Sequence, residues 1–429
     1  MEQLKEYRII SMVGREIAGY HSNLQRGFDQ LGVDNYFFYE RTHPFYKHKK
    51  KRHLPEVFIT TLNDIIFSQK KIKRLVLFII LYPFVLVMKV ILFPFFIKKY
   101  DVFIFSGNYT YLGFHIDRFI LKALNKITID IALGSDARPP YLNGNYLDHP
   151  VSKVKMLTAA KKKIINRKVK FTTHVIDHPT ISQFNSKSYI PFLHMGFPFF
   201  FSEVGIAVNT SEKPLILHAP SKPKVKGTSI IRKVIDDLRN EGTLDFEYKE
   251  LVGVPHVEVL AQLQKCSFII NELYSDTLMS GLDTEAAWFG KPSIVGGYNL
   301  DMIEKTVDKN NCPPTHRIQP SEEELKQAVI CLLTDKAYRQ KLGNDAQSFV
   351  KKKWSSQCVA QKYLDLISGN IPNDVYRSPY KDFDIYGSGI NNDDRVSMIK
   401  KLTDKYGIKA LCLNDKDALR AKIEEEIEA

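Results

Sequence analysis

Short apolar runs that alternate with helix-length segments constrain the fold of this 429-residue chain more than any other feature. The runs are rich in β-branched and aromatic residues, which favour strands. Strands that are separated by helices form parallel sheets buried on both faces. Two series of runs therefore predict two doubly wound α/β domains. The runs lie at 7–13, 35–40, 101–107, 127–133, 171–176 and 188–194, and then at 213–219, 244–252, 267–273, 291–297 and 315–319.

The two series place a domain boundary inside 197–214. We expect an N-terminal Rossmann-like domain at 1–205 and a C-terminal one at 206–373, completed by helices near 322–333, 335–353 and 357–368. From residue 374 the composition shifts to Asp, Asn, Gly and Tyr, which predicts an appendage at 374–429. Ligands of such sheets bind beyond the carboxyl ends of the strands, so two facing domains predict a cleft site.

Charge and cysteine content limit the class of protein. The formal net charge is +13, and the basic clusters at 47–53, 69–74 and 153–170 all lie in the first half. Such a surface favours an anionic partner, namely nucleic acid, anionic lipid or a phosphorylated substrate, although it is also compatible with a merely solvated face. The five cysteines include no C-x-x-C pair, which argues against a disulfide framework or a zinc site and favours a reducing compartment.

One apolar segment, 75–97, is long enough to cross a bilayer and carries a single charge, Lys89. Pro83 and Pro94 interrupt it, and the basic residues on both sides give no orientation. We expect a helix that lies in one leaflet, with nearby lysines on anionic headgroups. A buried core helix and a true membrane span remain the alternatives.

A lysine-rich loop follows the first strand run of the second domain. In "HAPSKPKVKGT" (218–228), lysines alternate before Gly227 and Thr228. Thr228 is expected to cap the next helix, whose N-terminal amides attract anions, and Gly227 allows close approach of backbone to a ligand. The lysines would neutralise a diphosphate, although an exposed turn is the plain alternative. The spacing is not that of a Walker loop.

A second loop, in 267–297, leads from a strand into a helix that carries Glu285. A carboxylate near the start of that helix suits hydrogen bonding to ribose hydroxyls. The alternative is an ordinary first-turn glutamate stabilised by the helix dipole.

The ordered set of these motifs resembles the donor half of GT-B glycosyltransferases of family 4. The matching pieces of 213–300 are Pro220-Ser221, Lys226-Gly227-Thr228, Gly253, Glu285-Ala286 and Gly290-Lys291-Pro292. The resemblance implies that Lys226 contacts the diphosphate, that Lys224 stands near the place of a partner arginine, and that Glu285 holds the ribose. It implies a donor site of Ser221, Lys224, Lys226, Gly227, Thr228, Gly253, Gly281 and Glu285.

The chain departs from the family pattern at two places in this half. Thr277, with Asp276 beside it, stands where the family often has a second glutamate, and the usual glycine-rich turn is reduced to Gly281. The sugar contacts are the part of the resemblance that these departures affect.

The first half resembles the same family in three loops, one of which is "IPFLHMGFPF" (190–199), with His194 pointing to the cleft. "VGREIAGYHSN" (13–23) is similar to its glycine loop, with Gly14 and Gly19 for close approach. The segment 129–144 is similar to its "H-G-S-D-x-R" segment, with Leu133 in place of the histidine, and Asp136 and Arg138 either orient the acceptor or pair with each other. The resemblance implies an acceptor site of Gly14, Arg15, His21, Arg138 and His194.

The family resemblance implies a retaining, metal-independent transfer from a UDP- or GDP-linked sugar, without a cofactor. Lys226 and Lys224 would stabilise the leaving diphosphate, and Asp136 would position the acceptor. With the apolar segment, this predicts a cytoplasmic enzyme on the inner face of the cell membrane. It would extend a lipid-linked or glycan acceptor in the synthesis of a surface polysaccharide, lipopolysaccharide or glycoprotein glycan, with no nucleic-acid partner. An inactive subunit or scaffold of a glycosyltransferase complex, a basic nucleic-acid-binding protein and an epimerase of the same shape are the alternatives.

Overall fold

The computed structural model describes residues 7–43, 53–200 and 213–428. Its first sheet has six parallel strands in the order β2-β1-β3-β4-β5-β6. The strands are β1 (Ile9–Arg15), β2 (Asn35–Arg41), β3 (Val102–Ser106), β4 (Ile127–Ile131), β5 (His174–Asp177) and β6 (Ile190–Pro191).

The second sheet has five parallel strands in the order β11-β10-β9-β7-β8. They are β7 (Leu215–His218), β8 (Glu247–Glu250), β9 (Phe268–Glu272), β10 (Ser293–Gly296) and β11 (His316–Ile318). Every strand overlaps one of the predicted runs, and β1, β2 and β5 extend one or two residues beyond theirs. The predicted fold class, two doubly wound α/β domains with parallel sheets, is confirmed. The domain boundary predicted at 205/206 lies outside the described residues.

Helices cover both sheets. In the first half they are α1 (Tyr20–Gln30), α2 (Leu54–Phe67), α3 (Lys71–Lys99), α4 (Ile116–Ala123), α5 (Val151–Phe171) and α6 (Phe192–Met195). In the second half they are α7 (Pro223–Lys226), α8 (Thr228–Glu241), α9 (His256–Lys265), α10 (Gly281–Trp288), α11 (Leu300–Thr306), α12 (Glu322–Thr334), α13 (Lys336–Lys353), α14 (Ser356–Ile367), α15 (Asn392–Tyr406) and α16 (Asp417–Glu428).

Helix α3 contains the whole apolar segment 75–97 and is long and apolar enough to cross a membrane. One stripe of it, including Val85, Phe93 and Phe96, packs on the first sheet. Lys89 lies in the same stripe, is 1% exposed, and forms an ion pair with Glu40 at the end of β2. Only 11% of the most apolar 18-residue stretch of α3 is buried, which contradicts the alternative of a core helix.

The sequence assigns α14 to the second domain, but the helix packs on α1 of the first. The hydroxyl groups of Tyr20 and Tyr363 lie 2.8 Å apart inside this contact. The helices approach so closely that a Cβ at Gly27 would lie 2.0 Å from the Ser356 carbonyl oxygen. The chain therefore returns to the first domain, and α14 extends the core beneath the first sheet.

The segment 374–428 is also packed rather than detached. Helices α15 and α16 share a core with α5. The segment 384–391, which we call the strap, runs between the two domains. Within it Ser388 N donates to Leu142 O at 3.1 Å and Gly389 N donates to Tyr274 O at 2.8 Å, so one short segment binds both domains.

Candidate functional site

The strand order reverses beside β7 in the second sheet and beside β1 in the first, and a ligand of such sheets binds at these points. The loop after β7 leads into α8, and the loop after β9 leads into α10. The loop after β1 faces them, since a Cβ at Gly281 would lie 3.8 Å from Ala18 Cβ. The three loops meet in the cleft between the domains, which is the candidate site.

The lysine loop folds as the single turn α7 and then turns sharply at Gly227. Gly227 has φ +73°, and a Cβ there would approach Leu273 side-chain atoms at 3.0 Å. A side chain at this position would be strained and crowded, so glycine is required for the lysine loop to lie against the end of β9.

Lys226 is the lysine of this loop that points inward. Its Nζ lies 2.8 Å from Glu272 Oε2, and the Glu272 side chain is buried at the carboxyl end of β9. Glu272 was not among the predicted site residues. The signal available in the sequence is that it is the one charged residue of the strand "FIINE", at the end where ligands bind.

Three helices begin at the cleft, and their N-termini differ. Glu16 accepts hydrogen bonds from the backbone of His21 and Ser22 at the start of α1. Ser280 and Asp283 form a capping box at the start of α10. Helix α8 has no side-chain cap. Its N-terminal amides are therefore the ones left open to an anion.

The expectation that Thr228 caps α8 is wrong. The N-cap position belongs to Gly227, and the Thr228 hydroxyl instead lies 2.8 Å from His218 Nε2. His218 Nδ1 lies 2.7 Å from Ile270 O, so it carries the proton and Nε2 accepts from Thr228. Burial lowers the pKa of His218 to about 4. This neutral histidine fixes the start of α8 to the centre of the sheet.

Asp283, at the start of α10, forms hydrogen bonds in the same region. Asn271 Nδ2 donates to Asp283 Oδ2 at 2.7 Å, and the Ser280 amide donates to the same oxygen at 2.8 Å. Burial, helped by the charge of Glu272, raises the pKa of Asp283 to about 6, although its hydrogen bonds to Ser280 and the charge of Lys226 act in the opposite direction. The carboxyl groups of β9 and α10 thus surround Lys226 with negative potential.

The outer lysines of the loop reach the first domain. Lys222 Nζ donates to Asn145 Oδ1 at 2.7 Å, and Lys224 Nζ lies 2.6 Å from Asp148 Oδ1. Ser221 is exposed at the turn beside them. Lys224 and Lys226, predicted to act together, therefore have different partners and different burial.

Glu285 lies on α10 and contacts α9. Its Oε1 is 2.7 Å from His256 Nε2, and this hydrogen bond raises the pKa of His256. Gly253, in the loop that leads to α9, has φ +69° and open space at its Cβ position. The pair lies at the side of the second domain where α9 and α10 meet.

Asp136 and Arg138 do not pair with each other. Arg138 forms an ion pair with Asp276 of the second domain, and Thr180 Oγ1 donates to Asp276 O at 2.8 Å. Asp136 Oδ1 accepts from the Leu133 amide at 3.0 Å, while its other carboxylate oxygen is buried with no hydrogen-bond partner among the described residues. Burial raises the pKa of Asp136. Asp276, beside Thr277, thus helps to close the cleft.

The predicted acceptor residues are separated by the fold. A Cβ at Gly14 would lie 3.3 Å from Tyr109, and Arg15 ends β1 beside Arg41. His21 does not fit a role in acceptor binding, because its side chain is fully buried and its Nε2 lies 2.7 Å from Ser106 Oγ.

Two further features complete the description of the site. His194 Nδ1 lies 3.4 Å from Asn311 Nδ2, away from the lysine loop, and burial lowers its pKa to about 4. In the described part of the chain, no three His, Cys, Asp or Glu side chains are placed together as metal ligands.

No family model and no curated protein matches the sequence. Among solved structures, HepE of Anabaena, in complex with UDP and glucose, is 10% identical, with a TM-score of 0.44 over 84% of this chain and 99% of that one. A TarM mutant of S. aureus is 11% identical, with a TM-score of 0.44 over 66% and 58%. The UDP-GlcNAc 2-epimerase of Methanocaldococcus jannaschii is 11% identical, with a TM-score of 0.37 over 84% and 99%.

Proposed function

We propose that this protein is a glycosyltransferase that moves a sugar from a UDP- or GDP-linked donor to a lipid-linked or glycan acceptor. The observation that carries the proposal is the uncapped N-terminus of α8 beside Lys226, at the point where the second sheet reverses its strand order. Open amides and a cation at such a point suit a diphosphate. The proposed reaction retains the anomeric configuration and uses no metal or cofactor.

The proposed mechanism is electrostatic. When the bond between the anomeric carbon and the β-phosphate oxygen breaks, negative charge develops on the diphosphate. Lys226 and the first amides of α8 would stabilise that charge, because they are already held in place by Glu272 and His218. The acceptor oxygen forms the new bond on the same face of the sugar, and its proton passes to the leaving phosphate. No separate base is then required.

The remaining donor contacts follow from the same placement. Glu285 would accept from the ribose hydroxyls, and His256 would hold its carboxylate in position. On the acceptor side, Asp136 has an unpartnered carboxylate oxygen and is our candidate for positioning the acceptor hydroxyl.

The exposed face of α3 supports the membrane part of the proposal. Within 75–97 its outward side chains are apolar, whereas Lys89 points into the protein. A helix with one face on a domain and the other apolar face exposed suits burial in one leaflet, parallel to the bilayer. We propose a peripheral enzyme on the cytoplasmic face of the cell membrane, where a lipid-linked acceptor would be presented to the cleft.

Polar substitution of this face tests the membrane contact. We expect Ile79→Gln, Phe84→Gln and Ile91→Gln together to lower partition into phosphatidylcholine vesicles about 100-fold or more, since each removes apolar surface of about 1.5–3 kcal/mol when fully buried. Vesicle co-sedimentation measures this. Val252→Gln with Val257→Gln, on exposed apolar residues of the other domain, is the control. Unchanged sedimentation together with full activity would contradict the contact.

Thermal unfolding of the purified protein with UDP, GDP, ADP and TDP in turn tests the function. We expect stabilisation by either UDP or GDP, followed by release of that nucleotide from the corresponding sugar nucleotides when an acceptor extract is added. The absence of stabilisation by all four nucleotides would exclude the lysine loop as a donor site.

One observation favours the alternative of an inactive subunit. The cations of the lysine loop are already engaged, Lys226 by Glu272 and Lys224 by Asp148. Donor binding must compete with these ion pairs. Nucleotide-sugar binding with turnover only in the presence of a second protein would support this scaffold function.

A further inference from the structure

A groove of about 740 Å³ lies between α4 and α5, outside the cleft. Its walls differ in character. The side at the start of α4 is apolar and consists of Phe114, Ile116 and Phe119, which are all exposed. The side on α5 is basic and includes Lys163, Arg167 and Lys170.

The apolar wall is built on unusual backbone. Phe114 and His115 are consecutive non-glycine residues with φ of 49° and 58°. The conformation is held from within, since His115 N donates to Thr110 Oγ1 at 3.1 Å and Thr110 Oγ1 donates to Asp117 Oδ1 at 2.6 Å. Left-handed backbone costs of order 1–3 kcal/mol per residue and is concentrated at functional sites. Here it holds the Phe114 ring in solvent, 77% exposed.

Only some of the cations on α5 are engaged inside the protein. Helix α5 carries eight lysines and arginines and no acidic residue. Lys161 and Lys168 are used inside the protein, on backbone carbonyl oxygens and on Asp130. Lys163, Arg167 and Lys170 are spaced to share one helix face, and no ion pair joins them to an acidic residue within the described ranges.

The groove lies on the same face of the first sheet as α3. Leu121 of α4 packs in the same core cluster as Val85, Phe93 and Phe96 of α3, so both helices cover one face of the first sheet. The Phe119 ring packs edge-on against Phe171 of α5 at 5.5 Å, which joins α5 to this layer. Apolar side chains next to unpaired cations match the boundary between acyl chains and anionic headgroups.

We propose that this groove binds the headgroup of an anionic phospholipid, with Phe114 inserted among the acyl chains and with Lys163, Arg167 and Lys170 on the phosphate. The proposal rests on the membrane contact proposed above and adds a second, charge-selective contact to it. Two contacts on one face of the domain fix its rotation on the bilayer, which α3 alone leaves free.

Vesicle co-sedimentation of the full chain tests the groove. Phosphatidylcholine vesicles are compared with vesicles that contain about 30% phosphatidylglycerol. We expect Lys163→Gln, Arg167→Gln and Lys170→Gln together to weaken binding to the anionic vesicles about 100-fold, at about fivefold for each basic side chain, with little change on neutral vesicles. Phe114→Ser is expected to weaken binding to both.

Lys351→Gln, Lys352→Gln and Lys353→Gln, which remove the same charge from α13, are the matched control and should change binding less than twofold. If the groove variant still prefers anionic vesicles, the proposal is overturned. The membrane contact and the donor site are intact in that variant if its vesicle binding still responds to the α3 substitutions and its thermal stability still responds to nucleotides. Competition by a single-stranded RNA oligonucleotide, with no response to lipid charge, would also overturn it and indicate a nucleic-acid groove instead.

Discussion

Replacement of Lys226 by alanine is expected to abolish stabilisation of the protein by its nucleotide diphosphate. The Nζ of Lys226 is held at the uncapped start of α8 by Glu272, 2.8 Å away. A hydrogen bond to a charged group contributes about 1.5–3 kcal/mol, so the affinity should fall about 10- to 150-fold. Ligand stabilisation follows RT ln(1 + L/Kd), where L is the free ligand concentration, so at a nucleotide concentration about five times the native Kd the shift should nearly disappear. Thermal unfolding with UDP and GDP, followed by calorimetric titration, measures this.

Two variants separate this effect from general loss of positive charge. Lys224→Ala removes an exposed lysine that pairs with Asp148, and it should weaken binding by a smaller factor. Lys233→Ala removes an exposed lysine from the middle of α8, paired with Glu322, and it should leave binding unchanged. If Lys226→Ala binds nucleotide as the native protein does, the diphosphate site lies elsewhere.

The second large effect is expected from Lys89→Met in the apolar helix. Lys89 is buried against the first sheet and forms an ion pair with Glu40, to which Tyr109 also donates at 2.7 Å. Removal of one partner of a buried ion pair leaves the other charge uncompensated and costs about 3–5 kcal/mol. We therefore expect the first domain to melt about 10 °C lower, at about 2–4 °C for each kcal/mol. Circular dichroism measures this. Tryptophan fluorescence is less suitable, because both tryptophans, Trp288 and Trp354, belong to the second half of the chain.

The double variant Lys89→Met with Glu40→Gln should recover much of the lost stability, because both charges are then removed. Lys98→Met, at the exposed end of the same helix, is the matched control and should melt as the native protein does. A melting temperature of Lys89→Met within about 2 °C of the native value would show that Lys89 is not held in the core. Helix α3 would then be free to leave the sheet, as a true membrane span requires.

The sequence alone determined the architecture, because alternation of apolar runs with helical spacing is a local property of the chain. It placed both sheets and each of their strands. It also placed the lysine loop at a strand's carboxyl end, since in a parallel sheet the loop after an apolar run must lie there. The sequence predicted that Gly227 allows close approach of backbone to a ligand, and the structure shows that this position has a φ of +73°, which favours glycine.

The partners of the site residues were decided by the tertiary structure. Arg138 pairs with Asp276, which lies 138 residues away, and Lys226 of α7 pairs with Glu272 of β9. Neither pair follows from spacing, because it depends on which strands become neighbours and on how the two domains face each other. His21 shows the opposite case, in which a polar residue after a glycine loop turns into the core and bonds to Ser106.

The end of the chain and the apolar segment show the same division. Composition marked 374–429 as different, but only the fold shows that the strap joins the two domains through Leu142 and Tyr274. Hydropathy marked 75–97 as a candidate for membrane contact, but it does not show on which side of the helix the charge of Lys89 lies. The structure turns Lys89 toward Glu40 and leaves an apolar face outward. Local pattern therefore determines which elements form, whereas packing between distant elements decides which side chains are free to bind a ligand.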